Sequence, residues 1–161
     1  MNNIYIHYGS TVYDPSKFQA IKNNLVWTKP EGGLWATPKD AKLGWKEWCD
    51  EFGNKACSDE NSFLFTTIHD ANILQINTVE DLRGLPTLKN QIEIPGLDSP
   101  IEVPVDYICL DFERLMASGV DAIQVNISED PSYSVDRLRK KLDAWDCDTI
   151  LIMNPDIIVT L

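Results

Sequence analysis

Apolar residues alternate with polar ones in several short runs spread over the whole chain, and this restricts the fold more than any other feature. A side-chain period of two marks a β-strand with two unlike faces. Residues 3–8 alternate around Ile4, Ile6 and Tyr8, which leaves His7 on the opposite face with Tyr5. Residues 122–127 alternate most cleanly: Ile123, Val125 and Ile127 point one way, Ala122, Gln124 and Asn126 the other. A short strand is expected at 33–37. Strands at 62–68 and 72–77 are separated by the turn residues His69 and Asp70, and strands at 149–153 and 156–160 flank Asn154-Pro155.

Helical stripes interrupt these runs without a regular β-α-β order. Thr37-Pro38-Lys39-Asp40 has the form of a helix start, with a hydroxyl cap, a proline in the first turn and a carboxylate three residues on. Ala41, Trp45, Trp48, Cys49 and Phe52 then make one apolar stripe, which reads Trp45 and Trp48 as core, and Gly53 closes the helix. A second helix is expected at 106–118, with Ile108, Phe112, Leu115 and Met116 on one face and Gly119 at its end. A third spans most of 131–145, burying Val135, Leu138, Leu142 and Trp145. Shorter helices are expected at 15–21 and, capped by Thr78, at 79–82. Residues 84–104 carry Gly84, Pro86, Pro95, Gly96, Pro100 and Pro104 and read as a long loop with an edge hairpin at 92–94 and 101–103. The class is α+β, and 161 residues support one domain, 1–161, with its own core.

The net charge of −11 argues against loose binding to phosphate backbones, where affinity rests on Lys and Arg. Arg137-Leu138-Arg139-Lys140-Lys141 reads as a solvated helix face. No apolar run approaches membrane-spanning length, and the first residues lack a signal-peptide layout, so a cytoplasmic protein is expected. Four cysteines and two histidines make no ligand spacing for a metal, and buried or idle thiols in a reducing compartment are expected. No G-x-G-x-x-G or Walker loop is present.

Two segments concentrate chemistry. Ile6-His7-Tyr8-Gly9-Ser10 offers a histidine and a Gly-Ser turn at a strand end. Gly32-Gly33-Leu34-Trp35-Ala36-Thr37-Pro38 offers bare glycine backbone followed by an aromatic face. Together they suit a planar, amide-bearing ring such as nicotinamide.

With Asp121-Ala122-Ile123-Gln124-Val125-Asn126 on a late strand, the order of these segments resembles the ADP-ribosyltransferase superfamily. The likeness is to the His-Tyr-Glu clade of diphtheria toxin and the poly-ADP-ribose polymerases, and to small bacterial and phage proteins of that kind. Element order carries it over most of the chain, and about a dozen residues carry its specific content. The resemblance implies a split sheet with flanking helices and NAD as substrate. His7 would bind the adenosine ribose, a backbone amide near Gly9 the nicotinamide carboxamide, and Ser10 would assist. Trp35 would stack on the ring and Gln124 would touch the nicotinamide ribose, with Tyr8, Gly33 and Thr37 completing the pocket.

Cleaving the nicotinamide–ribose bond builds positive charge on the ribose carbon, so a nearby carboxylate stabilises the transition state. The chain departs from the family pattern in three places. Tyr8 is inserted between His7 and Gly9, Trp35 replaces tyrosine, and Gln124 replaces glutamate and brings no charge. Asp121, Glu129 and Asp130 are nearby alternatives for that charge. Ala122 stands where arginine-modifying transferases carry a second glutamate, which disfavours an arginine acceptor. Each site residue also has an ordinary reading: a satisfied histidine, a glycine turn, a core tryptophan, a glutamine exposed on an edge strand.

The expected activity is NAD-dependent mono-ADP-ribosyl transfer to a macromolecule, a protein before others, in a toxin or phage–host conflict setting. Two alternatives stand beside it. One is a catalytically weak or inactive NAD-pocket module working through a protein partner. The other is an NAD glycohydrolase.

Overall fold

A computed structural model describes residues 3–24, 29–53, 57–88, 91–92, 96, 98, 101–102, 109–130, 141–142 and 145–161. Its centre is a seven-stranded sheet in the order β4-β7-β8-β2-β1-β3-β9. The strands are β1 (Tyr5–Tyr8), β2 (Leu34–Pro38), β3 (Ser62–Thr67), β4 (Ile73–Ile76), β7 (Ala122–Val125), β8 (Thr149–Ile152) and β9 (Ile158–Thr160). β4 and β7 pair in parallel and every other pairing in this sheet is antiparallel. A separate two-stranded ribbon joins β5 (Gln91–Ile92) to β6 (Ile101–Glu102), within the stretch expected to hold a hairpin. The helices that lie wholly among the described residues are short: α1 (Trp45–Glu51) and α2 (Phe112–Ala117). The fold is mixed α and β, and among the described residues it is richer in strand than in helix.

Strand alternation sorts the core into two clusters. One gathers Ile123, Val125, Leu151 and Met153 with Phe112 and Leu115 of α2 and with Trp145, and Trp35 packs against it. The other gathers Tyr5, Ala36, Phe65, Ala122, Ile150 and Ile152 with Ile157, and Leu34, Phe63 and Ile73 pack against it. Both faces of the central strands are therefore covered, and all four residues of β7 and of β8 are buried.

Several expected boundaries move. Thr37 and Pro38 end β2 and do not start a helix. Thr37 pairs with Ile6 of β1, and its hydroxyl donates to the Asp148 carbonyl at 2.6 Å. These long-range bonds override the local capping pattern. α1 starts later, with Gly44 as its cap, where the Glu47 carboxylate accepts from the Gly44 N–H at 3.0 Å. α2 begins at Phe112 because Asp111 caps it, accepting from the Arg114 N–H at 3.0 Å; residues 106–108 of the expected helix lie outside the described residues. Most of the helix expected at 131–145 also lies outside them. The expected 15–21 helix is a single 3₁₀ turn, Pro15–Lys17, capped by Asp14. The 79–82 helix is likewise a 3₁₀ turn, Val79–Leu82.

Gly33 has a strict conformational reason. Its φ is +70°, and a Cβ there would lie 2.5 Å from the Leu151 side chain and 2.8 Å from the Ile152 carbonyl oxygen. Only glycine lets the chain enter β2 so close to β8.

Candidate functional site

The end of β1 and the start of β2 open onto one cavity of about 230 Å³. Its wall includes His7, Ser10, Gly33 and Leu34 from the two segments singled out in the sequence, together with Tyr13, Asp14, Lys17, Phe18 and Phe63. The cavity falls just below the usual range of about 300–1,000 Å³ for drug-sized ligands. It therefore suits one ring with a small polar group.

His7 is held by its neighbours on both sides. Its Nδ1 lies 2.7 Å from the Trp35 carbonyl oxygen, and its ring packs against Phe63 at 5.1 Å between centroids. A carbonyl only accepts, so Nδ1 carries the hydrogen and donates. In the neutral ring Nε2 is then an acceptor, suited to a ligand hydroxyl or N–H.

Ser10 closes a local turn: its hydroxyl donates to the Val12 carbonyl at 2.6 Å and accepts from the Val12 N–H at 3.3 Å. One oxygen lone pair stays available to a ligand donor. The backbone amides of both glycines are already used. Gly9 N–H donates to the Asn61 carbonyl at 2.8 Å and Gly33 N–H to the Gln19 carbonyl at 2.9 Å. Neither amide is free to hold a carboxamide; Gly33 shapes the wall without bringing a donor, and Gly9 does not line it.

The other residues of the expected pocket are placed elsewhere. Trp35 faces the opposite side of the sheet from His7, because it alternates with Leu34 and Ala36. Its ring packs on Trp145 at 4.8 Å, and the Lys29 ammonium sits 4.1 Å from its centroid. Burial, the dominant influence, holds the Lys29 amine below its ordinary range. Thr37 shares that side with Trp35. Tyr8 also faces away from His7, toward Asp59, Lys46 and Cys57, and burial pushes its hydroxyl up.

Gln124 shares the face of His7 but lies inside the sheet, 6% exposed, between β4 and β8. The edge-strand reading of this residue is thereby overturned. Its Oε1 accepts from the Tyr5 hydroxyl at 2.9 Å, with a longer approach from Gln75 Nε2 at 3.4 Å. Its Nε2 donates to Asn126 Oδ1 at 2.9 Å. Asn126 Nδ2 in turn donates to Asn77 Oδ1 at 2.6 Å. The carboxamide is thus tied into a network across the sheet, and it does not line the His7 cavity.

Sequence reasoning missed the aromatic and acidic wall. Phe63, Phe18 and Tyr13 are the apolar surfaces beside His7, and Tyr13 stacks on Phe63 at 6.0 Å. The Tyr13 hydroxyl is shielded from solvent and has no hydrogen-bond partner among the described residues. A buried hydroxyl without a partner is costly, which makes it a natural donor to a bound ligand. Asp14 supplies a carboxylate to the same wall. Hydrogen bonds from the Ser16 hydroxyl and backbone N–H stabilise its charged form and hold its carboxyl below the usual carboxylate range, so it is anionic at neutral pH. Asp14 and Lys17 lie 3.8 Å apart at the exposed rim. In this stretch the sequence predicts only a short helix at 15–21, and that does not locate the segment near His7.

Among the described residues no cluster of three or more His, Cys, Asp or Glu side chains is arranged to hold a metal ion, and no helix is long and apolar enough to cross a membrane. Comparison with protein-family models, with curated proteins and with solved structures finds no match for this chain.

Proposed function

We propose that the His7 cavity receives the nicotinamide end of NAD, and that the chain is an ADP-ribosyltransferase-like domain carrying out mono-ADP-ribosyl transfer to a protein. One observation carries this reading. The segments holding His7 and Trp35, 28 residues apart and each suited to an amide-bearing ring, converge on a single cavity through the His7–Trp35 hydrogen bond and Gly33.

In this reading the ring lies against Phe63, Phe18 and Tyr13, which take the stacking role that Trp35 was expected to fill. His7 Nε2 accepts from a ribose hydroxyl, and the Tyr13 hydroxyl donates to the carboxamide oxygen. The rest of the dinucleotide extends beyond the cavity. The glycosidic bond breaks with its electron pair leaving on nicotinamide, which departs as a neutral ring. A nucleophilic side chain of the target protein forms the new bond to the ribose carbon and gives up its proton to solvent. The wall's carboxylate, Asp14, is better placed than Gln124 to stabilise the cation that develops.

The test is incubation with labelled NAD and a host lysate. A labelled protein with wild type, absent with His7→Ala and much reduced with Asp14→Asn, is the expected result. No labelled protein in any lysate, and no nicotinamide released, would remove the catalytic part of the proposal.

A second reading has its own observation. Gln124 is neutral, buried and fully engaged with Tyr5 and Asn126. If that position is where the chemistry needs its carboxylate, the domain binds NAD without turning it over and acts through a protein partner. Tight NAD binding with no nicotinamide release distinguishes this reading from transfer. Release of nicotinamide without any protein acceptor marks the hydrolytic alternative.

A further inference from the structure

Away from the His7 cavity, on the opposite side of β1, Cys49 and Cys57, eight residues apart, come together near Cys147 from late in the chain. Cys49 lies in α1, buried. Cys57 lies just before the 3₁₀ turn Asp59–Asn61 that leads into β3, and is half-buried. Their sulfurs are 2.8 Å apart. Cys147 is close enough to interact electrostatically with Cys57 and with Cys49. The Lys46–Asp59 ion pair joins the same two segments, so α1 and the chain entering β3 are held together by a second contact independent of the thiols.

We propose that Cys49 and Cys57 form a redox-active thiol pair, a modification site at which a small-molecule disulfide such as oxidised glutathione converts two thiols into an intrachain disulfide. Cys57 is the more exposed of the two and reacts first. Its thiolate attacks one sulfur of the oxidant, the oxidant's S–S bond breaks, and the first glutathione leaves as thiolate. The Cys49 thiolate then attacks the Cys57 sulfur of the mixed disulfide and expels the second glutathione. Two cysteine thiols are oxidised, one glutathione disulfide is reduced to two thiols, and the two protons released by the cysteines are taken up by the departing thiolates. Cys147, fully buried beside Thr149, is left out because the oxidant does not reach it.

Burial pushes the Cys57 thiol up to about 12, so the attacking thiolate is scarce at neutral pH and the reaction accelerates as pH rises. Closing the pair would fasten the end of α1 to the turn whose Asn61 carbonyl holds Gly9. The inference does not depend on what the His7 cavity binds.

The experiment is native protein incubated with oxidised glutathione over a series of pH values, blocked with an alkylating reagent, and peptide-mapped without reduction. The expected product has lost two hydrogens, carries a Cys49–Cys57 cross-linked peptide, keeps Cys109 and Cys147 alkylatable after unfolding, and returns to the starting mass with dithiothreitol. Its rate rises with pH. Cys147→Ser leaves the cross-link in place, and Cys57→Ser abolishes it. A stable glutathione adduct on Cys57 with Cys49 still free overturns the proposal, as does a cross-link to Cys147 or a protein that keeps all of its thiols at every pH.

Discussion

The Tyr5 hydroxyl donates to the Gln124 carboxamide oxygen at 2.9 Å, joining β1 to β7 across the two strands that separate them. Ala36 and Ile150 of those intervening strands belong to the same core cluster as Tyr5. The bond therefore sits in a dry interior, where a lost partner is expensive. Tyr5→Phe leaves Gln124 Oε1 with only the long Gln75 contact, and is expected to lower unfolding free energy by about 1–3 kcal/mol. Chemical denaturation checks this. Because Gln124 does not line the His7 cavity, Tyr5→Phe should leave NAD affinity unchanged.

Gly33 sets the close approach of β2 to β8. Gly33→Ala forces a side chain into a left-handed backbone position and against the Ile152 carbonyl. A cost of at least about 1–3 kcal/mol follows from the backbone alone. Thermal unfolding should show it. Gly53→Ala, where a Cβ meets nothing within 4 Å, isolates the backbone part of that cost.

Tyr13 separates stability from binding. Removing its unpartnered hydroxyl in Tyr13→Phe should leave the free protein as stable as before, or more so by up to about 1–3 kcal/mol. The same substitution should weaken ligand binding several-fold, in keeping with about 0.5–1.5 kcal/mol for one neutral hydrogen bond. Denaturation and ligand titration on one variant read the two effects with opposite sign.

Cys147 gives an alkaline signature. Burial, the first cause, raises its thiol from 9.0 to about 12 in the folded protein. The raised value means the folded state holds its proton more tightly than the unfolded chain does. The contribution is complete below the unfolded value near 9 and is lost as pH rises through the folded value near 12. The change over that window reaches up to about 4 kcal/mol. Stability measured against pH for wild type and Cys147→Ser should show the steeper alkaline decline in wild type.

The sequence made some of this legible and hid the rest for physical reasons. The alternation in β7 correctly divides Ile123 and Val125 from Ala122 and Gln124, because a period of two is a local property. The burial of Gln124 is not local; it depends on β4 and β8 flanking β7. Thr37-Pro38 looks like a helix start until Thr37 finds Ile6 and Asp148, which are 31 and 111 residues away. Trp35 is expected in the pocket from the sequence, but it lies on the other side of the sheet from His7, because its neighbours Leu34 and Ala36 face the same cluster as Tyr5. Tyr13, Asp14 and Phe18 come from a segment with no periodic signal. Their place at the cavity is fixed by long-range contacts, Tyr13 on Phe63 and Gly33 N–H on the Gln19 carbonyl, that no window of sequence contains.

The most direct test of the His7 cavity as a nicotinamide site is a titration of the protein with nicotinamide and with NAD, followed by backbone and side-chain NMR shifts. The account predicts saturable shifts at His7, Ser10, Tyr13 and Phe63 with both ligands, lost in His7→Ala and kept in Trp35→Phe. Shifts confined to Trp35 and Gln124, or binding that His7→Ala leaves intact, would contradict it.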